Sequence, residues 1–384
     1  MQANIELPLI TGETAVYWPT EGKYKVPEGG PFKSRIAFAA AHVVANPLGD
    51  RTDGIAADSI DWEGTLAYRR HLWSHGFAVA EAMDTSQRGM GLDWPSALEL
   101  MTRSVAEAHT LGAKVFCGAG TDHMPAGRHY QLDDVIAAYQ LQFAAIEKMG
   151  GRIIMMASRA LTACARSAED YANVYAKILG ESSQPVILHW LGEVFDPQLA
   201  GYWGSANLDT AMDTAIAVIR TNSAKIEGIK ISLLNADYEV EMRRRLPPNV
   251  HMYTGDDFNY PALIKGDGIG YSHALLGIFD AIAPVAAAAF HALDRGDVAT
   301  YDEIFEPTVA LSRHLFQSPT YYYKTGITFL AYINGYQNHF KMIGGQEQAR
   351  TKVHLATAFM LADKCGLIRD PDLAIDRMRL YLST

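Results

Sequence analysis

Ile226-Glu227-Gly228-Ile229-Lys230-Ile231-Ser232 is a short, apolar, strand-like run in which a single ammonium sits among β-branched neighbours. A lysine that loses hydration there is easier to deprotonate, and a neutral amine can attack a carbonyl to form a Schiff base. Most lysines in soluble proteins are solvated surface charges, so this reading needs support from the surrounding sequence.

On both sides of the run the pattern is regular. Apolar strands, polar loops and amphipathic helices alternate, which implies βαβ units and a parallel sheet. The strand candidates are 35–41, 77–82, 114–118, 152–157, 185–189, 228–233, 250–254 and 268–272, and eight of them favour a closed (β/α)8 TIM barrel over an open sheet. Helices are signalled between them at 62–75, 96–111, 133–149, 168–179 and 208–220. Asp61-Trp62-Glu63 and Ser167-Ala168-Glu169-Asp170 put acidic or hydroxyl groups where helix N-termini want them.

Residues 1–34, with Pro19, Pro27, Gly29, Gly30 and Pro31, read as a hairpin-like lead-in followed by a turn-rich connector. The barrel is expected over 35–295 and a helical C-terminal extension over 296–384, with alanine-rich helices at 284–295, 298–316, 326–342, 349–367 and 371–382. A chain of 384 residues fits one barrel with additions, and 49% hydrophobic residues supply a large core.

The net charge of −10 argues against nucleic-acid binding. Cys117, Cys164 and Cys365 are odd in number and widely spaced, which speaks against a disulfide framework or a thiolate zinc site. No basic and apolar leader is read at Met1-Gln2-Ala3-Asn4, and no run approaches the roughly 18 apolar residues of a membrane span. A cytoplasmic protein without membrane partners is expected.

In such a barrel, side chains at the C-terminal ends of the strands face the active-site mouth. Those ends carry His42 and Asn46, Asp84, Thr85, Ser86 and Gln87, Thr121, Asp122 and His123, and Ser158 and Arg159. They continue with His189-Trp190-Leu191-Gly192-Glu193, Lys230 and Ser232, Gly255-Asp256-Asp257, and Tyr271-Ser272-His273. Loops are polar everywhere, but here His, Asp and Arg recur beside otherwise apolar strands.

The sequence resembles a divergent branch of the dihydrodipicolinate synthase and N-acetylneuraminate lyase superfamily, class I aldolases built on a (β/α)8 barrel. Met83-Asp84-Thr85-Ser86-Gln87 falls where that family has Gly-Thr-Thr-Gly-Glu after strand two. Pro185-Val186-Ile187-Leu188-His189 resembles its Pro-Val-Ile-Leu-Tyr, and Gly228-Ile229-Lys230 resembles the Gly-Ile-Lys that carries the Schiff-base lysine. Gly255-Asp256-Asp257, the Gly-rich 268–272 read as strand eight, and a helix opened by Gly296-Asp297 follow in the same order. The family's strand-five tyrosine is His189 here. Its Arg-Thr-Gly carboxylate clamp is replaced by Gly192-Glu193-Val194-Phe195-Asp196, so the resemblance implies imine chemistry with a donor other than pyruvate.

The expected function is therefore a Schiff-base aldolase or lyase cleaving a C–C or C–O bond in a sugar-derived, polyhydroxylated ketone or aldehyde, with no cofactor and no metal. Lys230 would be the nucleophile, His189 the proton shuttle, and Asp84 a further acid/base or hydroxyl-binding group. Thr85, Ser86, Arg159, Ser232, Asp256, Ser272 and His273 would bind substrate, with one aspartate of the pair 256–257 capping the next helix. Because adjacent strand residues face opposite ways, Asp256 and Asp257 would not serve one pocket together. The rivals are a metal-dependent sugar isomerase or lyase drawing ligands from His42, Asp84, Asp122, His123, His189, Glu193, Asp256 and His273, and a non-catalytic sugar-binding barrel with Lys230 paired to Asp256 or Glu193. Family precedent and the helical C-terminus imply a homo-oligomer, a dimer or tetramer.

Overall fold

The computed structural model describes residues 3–24, 30–49 and 59–384; Met1, Gln2, Pro27 and Gly29 of the lead-in lie outside them. An antiparallel hairpin opens the chain, β1 (Ile5–Pro8) against β2 (Thr14–Tyr17). The barrel strands follow as β3 (Ala37–Ala40), β4 (Ala78–Glu81), β5 (Val115–Ala119), β6 (Arg152–Met155), β7 (Val186–Leu191), β8 (Ile226–Ser232), β9 (His251–Thr254) and β10 (His273–Leu276). All neighbours pair in parallel, and β10 closes on β3.

Seven strands overlap their expected spans, and the eighth does not. Gly266 and Gly268 have φ of 93° and 80°, and Asp267 Oδ1 accepts the backbone N–H groups of Ile269 and Gly270. The Gly-rich stretch is thus a tight turn, and the strand begins at His273.

The barrel helices are α1 (Trp62–Ser74), α2 (Trp94–Leu111), α3 (Leu132–Lys148), α4 (Arg159–Cys164), α5 (Ala168–Glu181), α6 (Leu208–Thr221), α7 (Ala236–Arg245), α8 (Tyr260–Lys265) and α9 (Ile278–Asp294). Asp61 and Ser167 cap α1 and α5 by accepting the backbone N–H of Gly64 and Asp170, as the sequence predicts. The extension adds α10 (Val298–Leu315), α11 (Tyr323–Ile333), α12 (Lys352–Lys364) and α13 (Pro371–Ser383).

Strand residues alternate between two cores. Phe38, Ala80, Phe116, Ile154, Ile187 and Tyr253 meet inside the barrel, while their chain neighbours pack outward against helices. A third cluster runs without a break from Ala39 and Val79 through α9 to Leu355 and Phe359 of α12. Helix α11 lies within it, and all eleven of its residues are buried. The sequence predicts this helix at 326–342, but it starts at Tyr323 and ends before Gly335, whose φ is 79°. No helix among the described residues is long and apolar enough to cross a membrane.

Candidate active site

Strand β8 carries Lys230 on its inward face, and β7 sets His189 directly beside it in register. Space for the lysine depends on Gly255: a Cβ there would lie 2.7 Å from Lys230 Cε and 2.3 Å from Ser232 Oγ. Lys230 is 6% exposed, and its ammonium has no hydrogen-bond partner among the described residues. Burial lowers its pKa, and the nearby charges of Asp84 and Asp257 offset part of that effect.

Asp84 is the common neighbour of the cluster. Burial pushes its carboxyl up, yet Lys324, Lys230, His189 and a hydrogen bond from Tyr323 together hold it below the usual carboxylate range. The Tyr323 hydroxyl donates to Asp84 Oδ2 at 2.8 Å and lies 2.6 Å from Thr85 Oγ1, so Thr85 donates to the phenol oxygen in turn. Tyr323 is stacked on Phe316 with ring centroids 4.2 Å apart and keeps its phenol proton, its pKa driven up by burial and by Asp84.

His189 is 3% exposed, with Nε2 3.3 Å from Ser232 Oγ. Burial and the Lys230 charge push its pKa well below the ordinary histidine value. The imidazole is neutral at physiological pH, so the near-neutral titration expected for a shuttle is displaced. Two other groups take that range. Burial raises the Asp257 carboxyl to about 7, with Lys230 and the Ile278 N–H pulling it back. Burial likewise lowers Lys324 to about 8 against the pull of Asp84.

The structure therefore brings together Lys230, His189, Asp84, Thr85 and Ser232. Ser86 is adjacent, but its hydroxyl donates to Met83 O at 2.6 Å and locks the turn. Arg159 sits at the rim, half exposed, in a 2.5 Å ion pair with Asp196. Asp256 is turned away: its Oδ1 accepts the N–H groups of Phe258 and Asn259, and its Oδ2 the amide of Asn259. Asp257 shares the inward parity of Tyr253 and Gly255, so it and not Asp256 faces Lys230.

Ser272 and His273 are corrected with the strand. They precede β10 or open it, at the N-terminal end of the barrel opposite the mouth. There Ser272 donates to Glu239 Oε1 at 2.6 Å, and His273 Nδ1 accepts the Ile36 N–H at 3.0 Å.

Tyr323 and Lys324 were not expected at the site. Their signal was the run Thr320-Tyr321-Tyr322-Tyr323-Lys324, aromatic and charged inside an otherwise alanine-rich extension. The loop after β4 is clasped to the segment following α11: Gln87 Nε2 donates to Ile343 O at 2.8 Å, and Gln346 Nε2 to Met90 O at 2.6 Å.

The proposed metal ligands are dispersed. His42 is held between Asp280 and Gln337, Asp122 pairs with Arg88, and His123 accepts from Gln142. No group of three or more His, Cys, Asp or Glu able to hold a metal occurs among the described residues.

The closed (β/α)8 barrel has the fold of the dihydrodipicolinate synthase and N-acetylneuraminate lyase structures. Similar solved structures include dihydrodipicolinate synthase from Oceanobacillus iheyensis, at 14% identity and a TM-score of 0.64 over 86% of this chain and 97% of that one. CdNal from Clostridium difficile, solved in complex with mannosamine, gives 15% identity and a TM-score of 0.64 over 86% and 99%. Dihydrodipicolinate synthase DapA-2 from Bacillus anthracis gives 15% and 0.61 over 85% and 98%. At these identities the likeness is one of fold. The chain belongs to the family described as "Protein of unknown function (DUF993)", whose model matches residues 5–384. No curated protein matches it.

Proposed function

We propose that the protein is a Schiff-base lyase in which Lys230 forms an imine with a polyhydroxylated ketone or aldehyde and cleaves it by a retro-aldol or related step. The observation that carries this is the buried Lys230 ammonium, which has no hydrogen-bond partner among the described residues while carboxylates flank it at a distance. A silent sugar-binding barrel would pair that lysine with Asp256 or Glu193, whereas Asp256 is engaged with Phe258 and Asn259. The dispersed donors speak against the metal reading.

In the first step neutral Nζ adds to the carbonyl carbon. The resulting carbinolamine loses its hydroxyl as water, and Asp257 supplies the proton that this departure needs. The cationic imine draws electrons from the adjacent bond. As that bond breaks, a base removes the proton from the substrate hydroxyl on the departing carbon, and the enamine left on Lys230 is protonated and hydrolysed. Ionised Asp84, linked to Thr85 through Tyr323, is the base assigned to that hydroxyl. Neutral His189 and Ser232 hydrogen-bond the imine-bound fragment.

The test is borohydride reduction during incubation with hydroxyacetone, dihydroxyacetone and simple oxo acids, read by intact and peptide mass. A reduced adduct should appear on Lys230 and vanish in Lys230→Ala. No adduct with any carbonyl, or an adduct that persists in Lys230→Ala, would sink the reading.

A further inference from the structure

Met90 lies in the loop after β4, and its backbone is fixed from both sides. Gly89 and Gly91 have φ of 72° and 126°, a region that favours glycine, and a Cβ on Gly91 would lie 2.9 Å from Ile343 Cγ2. The Met90 N–H donates to Gln87 O at 2.8 Å, and its carbonyl accepts Gln346 Nε2 at 2.6 Å. So held, the half-buried side chain sets its Sδ 3.3 Å from Nζ of Lys324, a residue of α11 that is 1% exposed. Among the described residues that sulfur is the hydrogen-bond acceptor of the ammonium, and a thioether is a weak one. A buried cation is thus left without an oxygen to donate to, which is unfavourable.

The sulfur can acquire that oxygen. A peroxide converts a thioether to a sulfoxide, which is polar and presents an oxygen as acceptor. The ammonium occupies one lone pair of Sδ and leaves the second free to attack a peroxide oxygen. As the O–O bond breaks, sulfur loses two electrons, and the departing oxygen takes a proton from Lys324 and leaves as water. The hydroxyl now on sulfur returns its proton to the neutral amine, so the ammonium is restored and donates to the new sulfoxide oxygen. An acid suited to this transfer ionises near the working pH, and burial lowers Lys324 to about 8.

We propose that Met90 is a modification site for hydrogen peroxide, with Lys324 as the proton donor in its oxidation and as the partner that then holds the sulfoxide oxygen. Met124, Met149 and Met360 are half-buried as well, but among the described residues none of them has an ammonium on its sulfur. Exposure ranks the four together, and the pairing with Lys324 sets Met90 apart. The same ammonium helps to hold Asp84 ionised, so the oxidisable sulfur sits one residue away from the candidate acid/base set. The assignment does not depend on imine formation at Lys230.

The test exposes the folded protein to hydrogen peroxide and follows each methionine by peptide mass. At pH 7 Met90 should be oxidised roughly tenfold faster than Met124, Met149 and Met360. As pH rises through about 8 that ratio should fall in the wild type, because Lys324 then lacks the proton. Lys324→Gln should bring the ratio at pH 7 towards one. The pH series needs no variant, so it decides the matter even where Lys324→Gln fails to fold. Equal rates for the four methionines, a ratio that does not change with pH, or a ratio that survives in folded Lys324→Gln would overturn the assignment. The sulfoxide contact is read separately by ¹⁵N NMR of lysine side chains: oxidised protein should keep the Lys324 ammonium to higher pH than reduced protein, and its loss at the same pH in both would reject that contact.

Discussion

A carboxyl that titrates near neutrality lies beside a lysine that must lose its proton, and that pairing sets the expected pH response. Asp257 faces Lys230 and feels the charges of Asp84 and Asp256, with its Oδ1 taking the Ile278 N–H at 3.0 Å. With its carboxyl raised to about 7, it still carries at pH 6 the proton that carbinolamine dehydration requires, and it has lost it by pH 8. Asp257→Asn should slow imine formation, followed by the rate of reductive trapping, by roughly 10²-fold at pH 6, and because both proteins must deprotonate Lys230 the ratio of the two rates should fall towards one as pH rises through about 7. A ratio that does not change with pH would assign the proton to another group. The His189 imidazole, pushed well below its ordinary pKa, contributes no step in this range.

Among the elements, α7 and the turn before β10 are joined by a carboxyl that is held neutral. Glu239 is wholly buried, Ser272 donates to its Oε1 at 2.6 Å, and burial pushes it up to about 8 against the Ser272 and Thr254 hydrogen bonds. Unfolded, a glutamate ionises near about 4.3. Its folded pKa is the higher one, so the stability it confers is complete below the unfolded value and is lost as pH climbs to about 8. Glu239→Gln keeps an acceptor for Ser272 and carries no charge. It should match the wild type near about pH 4 and gain on the order of a few kcal/mol near pH 8, read as a widening gap in urea midpoints. A constant gap across pH would mean that the carboxyl is ionised in the fold.

This same region shows how far the sequence could be read. Seven barrel strands were legible because strands buried on both faces appear as apolar runs between polar loops. The eighth was misplaced by the glycines of 266–270, which permit a turn as readily as a close-packed strand. Lys230, His189, Asp84 and Thr85 were among the residues read at the strand ends, and the family resemblance singled them out. The choice of Asp257 over Asp256 needed the inward parity fixed by Tyr253, and for Tyr323 and Lys324 the run 320–324 is a signal without a landing place, which the tertiary packing of α11 decides.

For the whole molecule, the two ends of the chain meet. Asp363 of α12 accepts the Tyr17 hydroxyl at 2.7 Å, the Thr20 N–H at 2.8 Å and the Thr20 hydroxyl at 2.9 Å, tying the opening hairpin to the helical layer. Asp363→Ala should cost about 1–3 kcal/mol. It should also raise hydrogen exchange over residues 5–17, and exchange unchanged there would show the hairpin to be held by the packing of Ile5 and Leu7 alone.

Helix α11 completes the site from the far side of the sequence, and that has a consequence for how the protein is made. On the ribosome the barrel strands emerge in order and Lys230 is displayed before Tyr323 and Lys324 exist. Until α11 follows, Asp84 lacks the Tyr323 hydroxyl and the Lys324 charge that hold its carboxyl ionised, so the barrel alone carries an unfinished acid/base set.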